Sequence, residues 1–571
     1  MKPIRSFLRR RWHLIAAALL GLAAFLCVFG LEPLRVTGIG WTQQGFYGKD
    51  IRSHQAGWMF FRNSPWTFPL CKALFLGWPE GTSVSYTDSI PIAALFFKLL
   101  SPLLPASFQY FGLWTCFCFM MQGIFGAALV FRMTRDRLYS ALASILFVMS
   151  SSFLERCFRH TALSSHWLVL AALYLYFREE KARRYLYWGL LLCLAVGIHP
   201  YLFGMAFAVF AFAVIRDLAG GRAFRKLLTA AACAAAPILF GYLLGLFGTG
   251  VSGSGGFGIY SLNLNALFNP LSKYHDTWSA FLKTRPIYGN QCDGIYYLGL
   301  PMLGCLVLTG IILLRRRGKA LLKDLIRGNR LLLVLLGLCT LFALSNVITF
   351  DDHRLIEIPL PALIYRFCSI FRSSERFFFP AYYCINLLTL TGLHGLFPDS
   401  RRRVTAAAVI LLAALQIFEI LPGLKDLHRY FAERKEEVRF SEAWDMIAEK
   451  YDTALTIDRN EDRRLAFWLA KNGFRTNVMV TAPVHREAYW DRTQPERDAL
   501  RADLEDGSLE PDPHTIYIIT DKLDYEPTFE THEEMDAYVN RLRTNYEGKA
   551  RLEFLTVNPI GDYWILCPNQ D

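Results

Sequence analysis

The sequence predicts a polytopic α-helical membrane protein, with about eleven transmembrane helices and a C-terminal extracytoplasmic α/β domain. Three observations carry this. Hydrophobic residues, 53% of 571, gather in repeated blocks of membrane-spanning length. Lys/Arg clusters recur between alternate blocks, where they contact headgroups and fix topology. The charge also changes sign near residue 422: from Pro422 onward there are 20 Lys/Arg and 31 Asp/Glu, against 41 and 18 before it. A mean hydropathy of +0.25 is too apolar for an ordinary soluble enzyme of this length. The sequence pI near 9.0 is weak evidence for nucleic acid, because the basic clusters flank apolar blocks.

Lys2, Arg5, Arg9, Arg10 and Arg11 precede the first apolar run, 14–29. No small-residue cleavage site follows, so the run is read as a retained helix with its N-terminus inside. Further spans are expected at 108–131, 138–150, 162–177, 185–198, 201–215, 227–247, 296–314, 331–348, 377–396 and 404–420. Eleven crossings put the clusters Arg132/Arg135/Arg137, Arg178/Lys181/Arg183/Arg184, Arg216/Arg222/Arg225/Lys226, Arg315–Arg317 with Lys319/Lys323/Arg327/Arg330, and Arg401–Arg403 all inside. The loops 31–107, 248–295 and 349–376 and the acidic tail then share the outer face. The expected division is a membrane domain, 1–421, and an outer domain, 422–571.

The tail begins with a polar helical stretch, 426–450. Alternating β-branched residues predict strands at 453–457, 476–480, 515–519, 552–556 and 562–566, with helices at 461–472 and 533–545 between them. The thirteen Cys show neither zinc spacing nor a secreted disulfide framework; Cys116, Cys118, Cys193, Cys233, Cys305 and Cys339 read as small side chains in apolar blocks.

Chemistry is sought on the outer loops. Asp50, in the run from Tyr47 to Trp58 with Arg52 and His54, stands just after the first span, where a carboxylate can act as base on a hydroxyl while a lipid stays embedded. Its bland reading is a loop carboxylate paired with Arg52 or Lys49. Asp88 is either a helper carboxylate or a helix cap before Pro91. Arg156, Arg159, His160 and His166 suit phosphate, as do Arg372 and Arg376 beside Glu375; the last three also pair internally. Asn263, Asn265, Asn269 and Asp293 suit sugar hydroxyls or turns equally. His199-Pro200 marks a helix kink. The glycines of 248–258 lack a phosphate-loop lysine.

The order of Asp50, His54 and Gly57-Trp58, Trp78-Pro79, Tyr86-Thr87-Asp88-Ser89-Ile90-Pro91, Arg159-His160 with His166, Asn263 to Pro270, and Phe371-Arg372-Ser373-Ser374-Glu375-Arg376-Phe377 resembles bacterial multispanning proteins of the DUF6311 type. These are themselves similar to the GT-C superfamily of membrane glycosyltransferases. That resemblance implies a polyprenyl-phosphate sugar donor and a cell-envelope glycan or lipid-linked acceptor on the outer face of the bacterial cytoplasmic membrane. It also implies an essential carboxylate at Asp50, with Asp88 as its helper. Arg156, Arg159, Arg372 and Arg376 would face the departing phosphate. No cofactor is expected, with a divalent ion held by Asp50, Asp88 and His54 left open. The alternatives are a lipid-linked saccharide transporter and a noncatalytic envelope assembly protein.

Overall fold

In the computed structural model the protein is mostly helical. The structure describes residues 2–44, 48–178, 184–218, 223–247, 256–273, 276–520, 529, 531–556 and 562–569. Tyr47, Lys181, Arg183, Arg222 and the glycines of 248–255 lie outside these, as do the side chains of Lys2, Arg5, Arg9, Lys49, Arg225 and Lys319.

Helices occupy the expected apolar stretches, but they are unequal. Among the described residues five are long and apolar enough to cross a bilayer: Arg10–Phe29, Phe111–Thr134, Pro200–Leu218, Lys226–Leu244 and Ala320–Leu344. A sixth arises if Arg402–Glu419 and Leu421–Ala432, bent by 64°, count as one. Others are short. Trp167–Phe177 has 11 residues, roughly 17 Å at about 1.5 Å per residue, against a hydrocarbon core of about 30 Å. Every residue from Trp167 to Leu173 is buried, so this is a largely internal helix, apolar all round because protein covers most of it.

The chain forms two compact units. The first comprises Met1–Gly38, Tyr110–Phe240 and Gly253–Arg434. Here the first helix and Phe111–Thr134 approach through glycine: a Cβ on Gly21 would stand 2.4 Å from the Phe119 carbonyl oxygen, and one on Gly123 2.4 Å from that of Ala17. The expected break at His199-Pro200 is present. Arg184–Ile198 ends, Pro200–Leu218 begins, and the His199 Nδ1 accepts the Tyr201 N–H at 3.1 Å, capping the second helix.

The second unit comprises Ile39–Gln109, Gly241–Ser252 and Lys435–Asp571. The loop expected to precede the second span is therefore grouped with the tail. Its frame is a five-stranded sheet in the order Arg475–Thr476, Thr453–Thr456, Thr515–Thr520, Asp562–Pro568, Ala550–Thr556. The first three strands are parallel and the last two antiparallel. Helix Arg463–Lys471 makes the crossover between Thr453–Thr456 and Arg475–Thr476, as parallel neighbours require. The exposed edge of Arg475–Thr476 is covered by the loop: Thr476 donates its N–H to the Phe75 carbonyl at 2.9 Å and accepts from Trp78 N–H at 2.8 Å.

The strand at 476–480 is shorter than expected, and the 426–450 helix is two, Leu421–Ala432 and Glu442–Lys450. The helices Gly48–Asn63, in the expected loop 31–107, and Pro483–Asp506 have no counterpart in the sequence reading. Pro483–Asp506 runs 24 residues with charges on every face and Pro495 inside, so no 3.6-residue apolar stripe announces it. Pro483 in its first turn is the signal that was available.

Candidate functional site

The expected site residues divide between the two units, and each group is described by itself.

In the second unit Asp50 lies in the first turn of the helix Gly48–Asn63, where the positive end of the helix dipole faces a carboxylate. It is half-buried. Arg52 turns instead to the backbone, its Nε donating to the Gln43 carbonyl at 2.6 Å. His54 is 2% exposed, with Nε2 3.4 Å from Asp88 Oδ2. Burial, then the charge of Arg463, pushes the imidazole down to about 3, so near neutral pH this contact joins a neutral ring to a carboxylate and is no true ion pair.

Asp88 is thus bound to the helix that carries Asp50. It does not cap the helix Pro91–Leu99, whose N-cap is Ile90, without a side-chain bond; with a left-handed φ of 59° it instead ends the short 3-10 turn Val84–Thr87. The same segment grips the helix through Ser89, whose hydroxyl donates to the His54 carbonyl at 2.7 Å.

Gly57 makes that approach possible. A Cβ there would lie 2.1 Å from Thr87 Oγ1 and 2.4 Å from Thr87 Cβ. We expect Gly57→Ala to destabilise the fold by about 1–3 kcal/mol, and Gly57→Ala/Thr87→Gly, which also removes the Cβ it would strike, to recover part of that, as read from melting in detergent. An unchanged melting temperature for the single variant would mean the segment 84–90 is not held as described.

The tail supplies a residue that sequence reasoning missed. Asp462 accepts from the Arg464 and Leu465 N–H groups at 2.7 and 3.2 Å and so caps Arg463–Lys471. That sets Arg463 against the Asp50 helix, where its Nε donates to Ser53 Oγ at 2.9 Å. A cap followed by two arginines was legible; its destination, some 400 residues earlier in the chain, was not.

In the first unit, Arg156, Arg159, His160, Asp293, Glu375 and Arg376 come together. Arg159 donates to Asp293 Oδ1 and Arg156 to the Asp293 carbonyl. Arg159 Nη1 also lies 3.6 Å from Glu155 Oε2, whose partner oxygen accepts Trp278 Nε1–H at 2.7 Å. Arg156 and Arg159 are 2% and 1% exposed. Burial alone would raise Asp293, but Arg159 and Arg156, with His160 and Lys273, outweigh it and hold the carboxyl well below the usual range. His160 is pushed well down by burial, then by Arg376 and Arg159.

Glu375 behaves oppositely. It is fully buried, and its oxygens sit 3.9 Å from Arg156 and 3.5 Å from Arg376, yet neither carboxylate oxygen receives a hydrogen bond among the described residues. Lost hydration therefore outweighs the two cations, and burial pushes the acid up to about 7. Folded Glu375 keeps its proton to about pH 7 whereas the unfolded residue loses it near 4.5. Its stabilisation is thus complete below about pH 4.5 and lost as pH climbs to 7. Glu375→Gln should remove this loss and gain on the order of 1–3 kcal/mol over the wild type at pH 8. Parallel melting curves from pH 5 to 8 for both proteins would refute it.

The remaining residues have other occupations. His166 is fully buried, its Nδ1 2.6 Å from the Tyr383 hydroxyl and its ring against Phe379. Asn263 donates to Gln291 Oε1 and the Asp351 carbonyl, both at 2.8 Å, and Asn269 exchanges bonds with Arg285 N–H and C=O. These asparagines staple the loop, the turn role of the two open. The Arg372 guanidinium lies 5.2 Å above the Tyr260 ring, and Arg376 stacks 4.6 Å above Tyr201. Of Arg156, Arg159, Arg372 and Arg376, only Arg372 has no carboxylate partner among the described residues.

A divalent ion needs several oxygen or nitrogen donors turned to one point. Among the described residues no three His, Cys, Asp or Glu side chains are so arranged, and Asp50, Asp88 and His54 supply only the Asp88–His54 contact. The donor set does not fit a metal held by the protein alone.

No curated protein matches the chain. The family model described as a domain of unknown function, DUF6311, matches residues 18–421. With that match covering well over half of its length, the chain belongs to the DUF6311 family.

Proposed function

We propose that this protein is a membrane glycosyltransferase of the bacterial cytoplasmic membrane, moving a sugar from a polyprenyl-phosphate-linked donor to an acceptor hydroxyl on the outer face. In this reading the eleven apolar helices all cross or enter the bilayer, the N-terminus is cytoplasmic, and residues 422–571 are outside. The acceptor is a cell-envelope glycan or a lipid-linked precursor.

The supporting observation is Asp50 itself: a half-exposed carboxylate at the start of a helix that His54–Asp88, Ser89 and Arg463 all hold in place. A general base needs both access and fixed position. Asp50 takes the acceptor hydroxyl proton, the acceptor oxygen bonds the anomeric carbon, and the bond from that carbon to the phosphate oxygen breaks. Polyprenyl phosphate departs with the electron pair. Its charge needs a cation more than a proton. His54, buried and neutral, positions the helix and does not touch substrate.

The test is reconstitution of the full chain in proteoliposomes with a panel of polyprenyl-phosphate sugars and envelope acceptors. The expected result is glycosylated acceptor and free polyprenyl phosphate in equal amounts. Donor crossing the bilayer with its glycosidic linkage intact would instead identify a transporter.

A further inference from the structure

We infer that the first unit carries a binding groove for an anionic membrane phospholipid, independent of the glycosyl-transfer reading. A groove of about 710 Å³ lies between the C-terminal half of the first helix, the end of Arg137–Val148 and the bend joining Arg402–Glu419 to Leu421–Ala432. Its wall is apolar, with Leu20, Ala23, Ile145, Met149, Ile417 and Leu424 among its residues. The volume falls in the range of about 300–1,000 Å³ typical of small-molecule sites.

Three basic residues also line the groove, Lys425, His428 and Arg429, all exposed. They belong to Leu421–Ala432, an amphipathic helix that buries Gly423, Leu424, Leu427 and Phe431. Spacings of three and four place the basic residues on one face. The 64° bend turns this helix away from the preceding apolar one, the geometry of a segment lying along a membrane interface. Asp426 stands 3.1 Å from Arg429 and balances it. Lys425 has no carboxylate partner among the described residues.

Charge and shape together select the occupant. The groove has an apolar wall and is bounded by the first helix, which is long and apolar enough to cross a bilayer, so a hydrocarbon chain fills it, and one unopposed ammonium in its lining matches one phosphodiester. A zwitterionic lipid brings its own cation to that phosphate and gains less. The occupant is thus a phospholipid with a singly charged phosphodiester and no headgroup amine.

The full-length protein would be placed in nanodiscs of equimolar phosphatidylglycerol and phosphatidylcholine, released into mild detergent, and its retained lipid counted by native mass spectrometry. Wild type should retain phosphatidylglycerol preferentially. Lys425→Gln/Arg429→Gln should cut that preference roughly tenfold, with Lys425→Arg/Arg429→Lys restoring it. Ala23→Phe, which fills the groove, should abolish retention of both lipids without lowering the melting temperature. Equal retention of the two lipids, a preference that survives the double Gln variant, or displacement by inorganic phosphate alone would overturn the proposal. Selective capture of added polyprenyl phosphate over phosphatidylglycerol, or a lipid-free dimer, would do so as well. If the double Gln variant misfolds, Ala23→Phe decides: phosphatidylglycerol still retained there refutes the site.

Discussion

Asp50→Asn is expected to lower sugar transfer by roughly two to four orders of magnitude, the range ascribed to removal of a positioned general base. The amide keeps the shape of the carboxylate but cannot accept the acceptor's proton. Because Asp50 is half-exposed at the first turn of its helix, the loss should leave the melting temperature nearly unchanged, and donor affinity should fall far less than turnover. Asp50→Glu should retain part of the activity. His54→Gln and Arg463→Ala are the informative companions. His54 ties the helix to Asp88 and Arg463 braces it at Ser53, and neither touches the acceptor in this reading, so both variants should lower turnover more modestly and also lower stability. Full turnover by Asp50→Asn in the reconstituted assay would remove the chemical centre of the proposal, whatever the fate of the other variants.

The largest stability effect is expected at Asp293. Its carboxylate and carbonyl hold Arg159 and Arg156, which are almost wholly buried. Asp293→Ala takes the carboxylate partner from the Arg159 guanidinium in a dry setting while the backbone carbonyl still holds Arg156, at a cost of about 3–5 kcal/mol. Glu155, 3.6 Å from Arg159, moderates the effect. Replacing both members, as in Arg159→Met/Asp293→Leu, should be much milder than Asp293→Ala, because desolvation of the charges is then avoided. Denaturant unfolding in detergent measures both. A loss below about 1 kcal/mol in the single variant would show that the network is wet and weakly coupled.

The apolar blocks, the helix break at His199-Pro200 and most strands of the tail were legible because they rest on local signals: hydropathy, a proline, alternating β-branched residues. The pairing of Glu375 with Arg376 was also open to reading, one residue apart and among aromatics. Other features had no such signal. Asp293 as the anchor of Arg156 and Arg159, separated from them by more than a hundred residues, follows from packing alone. Asp88 reads as a cap before Pro91 or as a helper, and only the structure shows that Ile90 takes the cap position while Asp88 contacts His54. The 24-residue helix Pro483–Asp506 has no apolar stripe to betray it.

Sequence by itself determined that this is a largely helical chain with several bilayer-length apolar helices and a charged, strand-bearing tail. Burial of apolar side chains and the alternation of the backbone are set by composition over short windows, so those features survive without knowledge of the fold. Tertiary structure alone decided which charges meet, that residues 39–109 pack with 435–571 in one unit, and that Arg463 braces the Asp50 helix. Such contacts join residues hundreds of positions apart. Their energies depend on desolvation and on distances of a few ångströms, and neither quantity exists until the chain has folded.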